Sequence, residues 1–341
     1  MKKIIFGALV LILLICCFIP GNYNSKYKLN VVSSYGDDES YHPKVLAFDK
    51  EWNGYKYWMS YTPYPSGDDR KENPHIVASN DLVTWEKVLN PDRALDEPAG
   101  NVPLKIYNSD AHIVYNDDLD RMEMYWRFVD DTTYGLYIYR MTSDNGVDWT
   151  EKEISAYSPN RLEKDYVSPA ILYDNGTYKM WYVGPQNKVY YTESSDGLEW
   201  TNEQVLDVKY EDNTNTWHID VIKSDIGYEM IAVSYDEWKN HNDMNLYYTS
   251  SKDGLNWETG KIILRPTKGT GYWDNRGIYR STFVKINGTY LVYYGGTNED
   301  LHHGLGLVYG KDIYNLKSTN VNFSSKTDRN KFAEKLKKEL K

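Results

Sequence analysis

Polar and apolar residues alternate along most of this chain in short runs closed by turn residues. Asn175-Gly176-Thr177-Tyr178-Lys179-Met180-Trp181-Tyr182 is one such run, and Asn287-Gly288-Thr289-Tyr290-Leu291-Val292-Tyr293-Tyr294 is another. A period of two with β-branched and aromatic residues predicts half-buried strands, and Asn-Gly predicts the tight turns that join them. A period near four appears only at the far end, where Phe332, Leu336 and Leu340 recur among lysines and glutamates. That spacing predicts one short helix over 326–341, packed as a cap on the outside of the fold.

The runs form a repeat. Ser79-Asn80-Asp81-Leu82-Val83-Thr84-Trp85, Ser143-Asp144-Asn145-Gly146-Val147-Asp148-Trp149, Ser195-Asp196-Gly197-Leu198-Glu199-Trp200 and Ser251-Lys252-Asp253-Gly254-Leu255-Asn256-Trp257 share one pattern, and Gly310–Leu316 is a degenerate fifth. The copies lie about 50 to 65 residues apart. Each follows a strand-like run, and the Trp opens the next strand. Upstream of each sits a unit that starts a strand: His42-Pro43, Ser109-Asp110-Ala111-His112, Ser168-Pro169, Trp217-His218-Ile219-Asp220 and Arg280-Ser281. Five units of about four strands with no helix between them predict an all-β, five-bladed β-propeller over 31–325. A β-sandwich does not explain five copies, and a β-helix has shorter coils.

Composition narrows the function. The chain has 341 residues and a net charge of −10, which argues against nucleic acid as a partner. It holds 33 Tyr and 11 Trp against 7 Phe. Rings with a polar handle suit strands and sugar contacts. Lys2-Lys3 followed by the apolar run Ile4–Ile19 reads as an export signal over 1–20, with 21–30 as a polar tether. Leu14-Ile15-Cys16-Cys17 resembles a bacterial lipoprotein box with Cys17 as the lipidated residue, so contact with a membrane is expected only through such an anchor. The expected product is exported, either secreted or anchored at the cell surface, and monomeric.

In a propeller the first strand of each blade lines the central channel. The five strand openings His42, Asp110, Ser168, His218 with Asp220, and Arg280 are therefore the candidate site. Because side chains alternate, Asp110 and His112 face one way, and so do His218 and Asp220. Glu97, Asp165 and Trp217 sit just before or between blades. Trp217 is a candidate sugar platform or a wedge between blades. No metal-binding or phosphate-loop motif is present, and no metal or cofactor is expected.

The Ser-x-Asp-Gly-x-x-Trp turns, the Asn-Gly-x-Tyr-x-x-Trp-Tyr strand and the strand-opening X-Pro resemble the clan of five-bladed propeller glycosidases. That clan holds the family 43 arabinanases and β-xylosidases and the invertase and levanase group, and the likeness runs from about Tyr41 to Leu316. It implies three carboxylates at three blade openings; here His42, Ser168 and His218 stand in those places. Glycoside hydrolysis uses two carboxylates about 6.5 to 9.5 Å apart for inversion. The expectation is that Asp110 acts as base, that Asp220 or His218 donates the proton, and that His42, Ser168, Arg280, Trp217 and Glu97 bind substrate. Two readings follow, an exported glycosidase or a surface glycan-binding lipoprotein without turnover, and a structural or adhesion propeller is the third.

Overall fold

The computed structural model describes residues 23–98, 103, 105–235 and 243–341. The expected export signal and Cys17 lie outside the described residues. Among the described residues, nineteen strands form five antiparallel sheets. Blade 1 holds β1 (Ser40–Trp52), β2 (Tyr55–Pro63), β3 (His75–Ser79) and β4 (Glu86–Lys87). Blade 2 holds β5 (Ile106–Asn116), β6 (Arg121–Asp130), β7 (Gly135–Ser143) and β8 (Glu153–Ser158). Blade 3 holds β9 (Val167–Asp174), β10 (Thr177–Val183), β11 (Val189–Ser194) and β12 (Thr201–Leu206). Blade 4 holds β13 (Asn215–Ser224), β14 (Gly227–Tyr235), β15 (Asn245–Ser251) and β16 (Lys261–Leu264), and blade 5 holds β17 (Gly277–Ile286), β18 (Thr289–Thr297) and β19 (His303–Gly310). The inner strands β1, β5, β9, β13 and β17 each pack on the next, and β17 returns to β1. The fold is the expected five-bladed propeller.

Blade 5 has three strands where the others have four. Its outer edge is finished by the chain's two ends. Tyr309 and Lys317 exchange backbone hydrogen bonds, Lys26 N donates to Thr319 O at 2.9 Å, and Leu29 N donates to Leu305 O at 2.8 Å. Of residues 21–30, expected as a polar tether, the described part is instead held in the ring, and Leu29 joins Val31 in the core between blades 5 and 1. The polar run Asn24-Ser25-Lys26 hid this, because its partners at Arg265 and Thr319 lie far along the chain. The helix α1 (Lys326–Glu339) is capped by Ser325 and buries Phe332 and Leu336 against the same core, as its period implied.

The Asp-Gly turns hold the blades to each other. In blade 4, Gly254 N donates to Ser251 Oγ at 2.9 Å, and Asp253 Oδ1 accepts from Leu255 N and Asn256 N. Gly254 has φ +78°, and a Cβ there would meet the Trp181 ring of blade 3 at 2.8 Å. Trp181 Nε1 in turn donates to Gly254 O at 2.7 Å. The turn therefore needs glycine twice, for its left-handed backbone and for the neighbour's indole. In the first copy Leu82 takes this place with φ +68°, and its side chain is buried in the core instead.

Gly254→Ala is expected to cost about 2 to 4 kcal/mol, from the left-handed penalty plus overpacking on Trp181. Urea unfolding measures it. A loss under about 0.5 kcal/mol, the size of an ordinary surface substitution, would mean that the turn does not clamp the two blades.

Candidate functional site

Every inner strand carries an irregularity in register near its start. The shifts fall between Tyr41 and Lys44, Ser109 and His112, Thr216 and His218, and Tyr279 and Ser281, and opposite Trp181 to Val183 in blade 3. His42, Asp110 and Ser168 sit in these bulges with φ of 46°, 54° and 54°. A bulge opposes two residues to one and re-aims a side chain. Repeated around the ring, it turns the opening residues toward the axis at one mouth.

That mouth is a pocket of about 460 Å³. His42, Asp110 and His218 lie at its floor, and Glu72, Tyr107, Arg127, Asp165, Trp217 and Tyr279 are among the residues around them. The three floor residues are 2 to 3% exposed. One ligand atom from each of them lies within 4.8 Å of the other two. Asp110 Oδ1 is 3.5 Å from His218 Nδ1. His42 Nδ1 lies 2.9 Å from Thr62 Oγ1 and 3.3 Å from Glu72 Oε1, while its Nε2 is buried with no hydrogen-bond partner.

The charges are set by what surrounds them. Burial alone would raise the Asp110 carboxyl, but Arg280, then His218 and His42, hold it below the usual carboxylate range. Burial pushes the His42 imidazole down to about 3, against the pull of Asp110, so the ring is neutral at ordinary pH. Burial and the like charge of Asp110 push Glu72 well up. A buried carboxylate beside two imidazoles, one with an orphaned nitrogen, is a donor set for a divalent cation such as zinc. Thr62 Oγ1, at 2.9 Å from the far nitrogen of His42 with Glu72 at 3.3 Å beside it, is the kind of outer partner that orients a ligating histidine. The sequence expectation of no metal rested on contiguous motifs, and this set is drawn from blades 1, 2 and 4.

Not every expected residue is at this pocket. Asp220 was expected to face Asp110 across it, but it lies one rung deeper. Two residues along a strand is about 6.6 Å, so facing the same way does not mean the same depth. There its carboxylate accepts from Lys44 Nζ and Thr282 Oγ1, both at 2.7 Å. Arg280 is also below the floor. It donates to Asp110 Oδ1 at 3.1 Å and lies 3.4 Å from His112 Nδ1 and Pro169 O. Ser168 stitches blade 3 to blade 4 through Ile219 O at 2.9 Å and Ile219 N at 3.1 Å. Glu97 is exposed and accepts from Tyr35 Oη. Neither Ser168 nor Glu97 lines the pocket. Trp217 does, with its Nε1 3.1 Å from Tyr279 Oη.

Tyr107, Arg127 and Tyr279 were not among the residues singled out for function. The loop Glu72-Asn73-Pro74-His75 was expected at the border of the funnel from its turn residues, without a role for Glu72 itself. Arg127 is paired bidentately with Asp165 at 2.9 and 2.8 Å, which no local pattern reveals.

The fold places the chain among five-bladed propellers with structural neighbours in glycoside hydrolase family 43. One is a thermostable family-43 glycoside hydrolase, with a TM-score of 0.58 and 16% identity over 86% of this chain and 96% of that one. Another is an N-acetylgalactosamine deacetylase from F. plautii solved with blood group B trisaccharide, with a TM-score of 0.75 and 24% identity over 84% of this chain and 95% of that one. Among curated proteins the chain is 30% identical over 328 residues to an A type blood N-acetyl-α-D-galactosamine deacetylase of Flavonifractor plautii. That match takes in 80% of this chain and 42% of the relative, so the chain spans under half of the relative's length. No family model matches it.

Lys44→Met leaves the Asp220 carboxylate buried without its cation and is expected to cost about 3 to 5 kcal/mol. The double variant Lys44→Met with Asp220→Leu is expected to regain most of that loss. Thermal unfolding of the three proteins decides it, and equal destabilisation by the single and double variants would mean that the pair does not hold blades 1 and 4 together.

Proposed function

We propose that this chain processes glycans at the mouth pocket, and that the reaction is removal of an N-acetyl group from an amino sugar. The observation that carries this reading is the His42, Asp110 and His218 cluster, with the unpartnered Nε2 of His42 beside it. The likeness to a deacetylase supports the substrate class. Family 43 neighbours support carbohydrate chemistry, but this chain has two histidines and a serine where that resemblance implies carboxylates.

His42, Asp110 and His218 would hold a divalent cation. A bound cation supplies Lewis-acid polarisation of the amide carbonyl and a lowered pKa for water. Glu72 lines the same pocket; with a cation beside it drawing its raised carboxyl back to the ionised form, it would accept the proton of the attacking water and pass it to the leaving nitrogen. The C–N bond then breaks, giving acetate and the free amine. Asp110, held ionised by Arg280, keeps its oxygens as acceptors through the cycle. The Tyr279 and Trp217 rings exclude water from one wall.

A second reading is glycoside hydrolysis. Glu72 and Asp110 are two carboxylates on one pocket, as such a reaction requires.

The test is incubation with N-acetylgalactosamine-capped and N-acetylglucosamine-capped oligosaccharides, reading acetate and reducing ends together. Acetate release abolished by a chelator and restored by zinc or manganese is the expected result. Glu72→Gln is expected to lower kcat about 10²- to 10⁴-fold with the cation still bound, and Asp110→Asn to lose the cation by elemental analysis. New reducing ends without acetate would favour glycoside hydrolysis. Binding without either product would make the protein a glycan binder.

Export is part of the same proposal, supported by Lys2-Lys3 and the apolar run after them. Mass spectrometry of the membrane fraction is expected to find the chain starting at an acylated Cys17, and an intact N-terminus in the cytosol would overturn it.

A further inference from the structure

The loop between β10 and β11 forms a turn, Gly184-Pro185-Gln186-Asn187, at the rim of the pocket. Gln186 has φ 60° and ψ 21°, and Asn187 has φ 55°. Two consecutive left-handed residues that are not glycine are costly, and after proline the position of Gln186 is the one where a turn normally carries glycine. Glycine is used two residues earlier for another reason. A Cβ on Gly184 would meet the Tyr190 ring at 2.6 Å. At position 186, where the backbone favours glycine, a long amide side chain stands instead. Strain kept at a pocket rim points to a side chain that is needed there.

The turn is also braced. Asn187 Nδ2 donates to Tyr235 Oη at 2.7 Å, and the Tyr235 ring stands edge-on to Trp217 with centroids 5.9 Å apart. Trp217 is fixed at its other side by Tyr279 Oη. A held indole and a long amide on one pocket can together receive a pyranose: the ring stacks by its C–H face, and the amide bonds neighbouring hydroxyls. Both lie around the floor cluster rather than in it.

We propose that Gln186 and Trp217 form a subsite for a sugar that does not react, so that the preferred ligand is an oligosaccharide and not a single amino sugar. The inference rests on the pocket being a glycan site, though not on which bond is broken there.

The experiment is calorimetric titration of the full chain with methyl N-acetyl-α-D-galactosaminide and with a trisaccharide carrying that sugar at its non-reducing end. The native protein is expected to bind the trisaccharide more tightly than the methyl glycoside. Gln186→Gly is expected to weaken the trisaccharide about tenfold, the worth of one or two hydrogen bonds, and to leave the methyl glycoside unchanged. Its unfolding midpoint is expected to equal or exceed the parent's, because glycine relieves the left-handed strain. Unchanged trisaccharide affinity in Gln186→Gly overturns the proposal. So does equal weakening of both ligands, or a native protein that binds neither. Acetate release from the same samples separates the two readings: binding with the expected Gln186 dependence but no acetate removes the deacetylase and leaves the subsite.

Discussion

The structure depends on how five inner strands share one axis. Their facing side chains meet in a channel closed to water along most of its length, so each polar group there must find a partner or be costly. The lower rung does so by pairing blades: Lys44 of blade 1 with Asp220 of blade 4, and Thr282 of blade 5 with the same carboxylate. Arg280 of blade 5 reaches Asp110 of blade 2, and His112 of blade 2 lies 3.0 Å from the Ile171 carbonyl of blade 3. These contacts close the ring from inside, while the Asp-Gly turns and their aromatic neighbours close it from outside.

The upper rung is where this rule is broken. His42, Asp110 and His218 are as buried as the groups below them, yet Nε2 of His42 is left with no partner. An unsatisfied buried nitrogen costs stability unless a ligand completes it. The bulges that turn His42 and Asp110 upward also leave those two without ladder neighbours. Arg280 joins the two rungs. It satisfies the fold below and keeps Asp110 charged above, so stability and chemistry share one ion pair.

The family 43 neighbours show how little the fold dictates here. The architecture is common to them, to the deacetylase and to this chain. At the blade openings where the family resemblance implies carboxylates, this chain has His42, Ser168 and His218. A shared fold therefore leaves the chemistry to the residues at the openings and the rim.

The repeat, the blade count, the helix and the gathering of polar strand openings at one mouth were all legible in the chain, because strand period and turn residues are local properties. Asp110, His42, His218 and Trp217 could be singled out for the same reason, since each opens an inner strand or stands beside the residue that does. Depth along the axis was not legible. Asp110 and Asp220 have equivalent alternation, and only the assembled ring puts one at the pocket floor and the other under Lys44. Nor was the cluster whose members come from three blades, or the contact of Glu72 with His42 at 3.3 Å. Periodicity reports which way a side chain faces; which partners it meets is decided by closure of the ring, because those partners come from strands far apart in the chain.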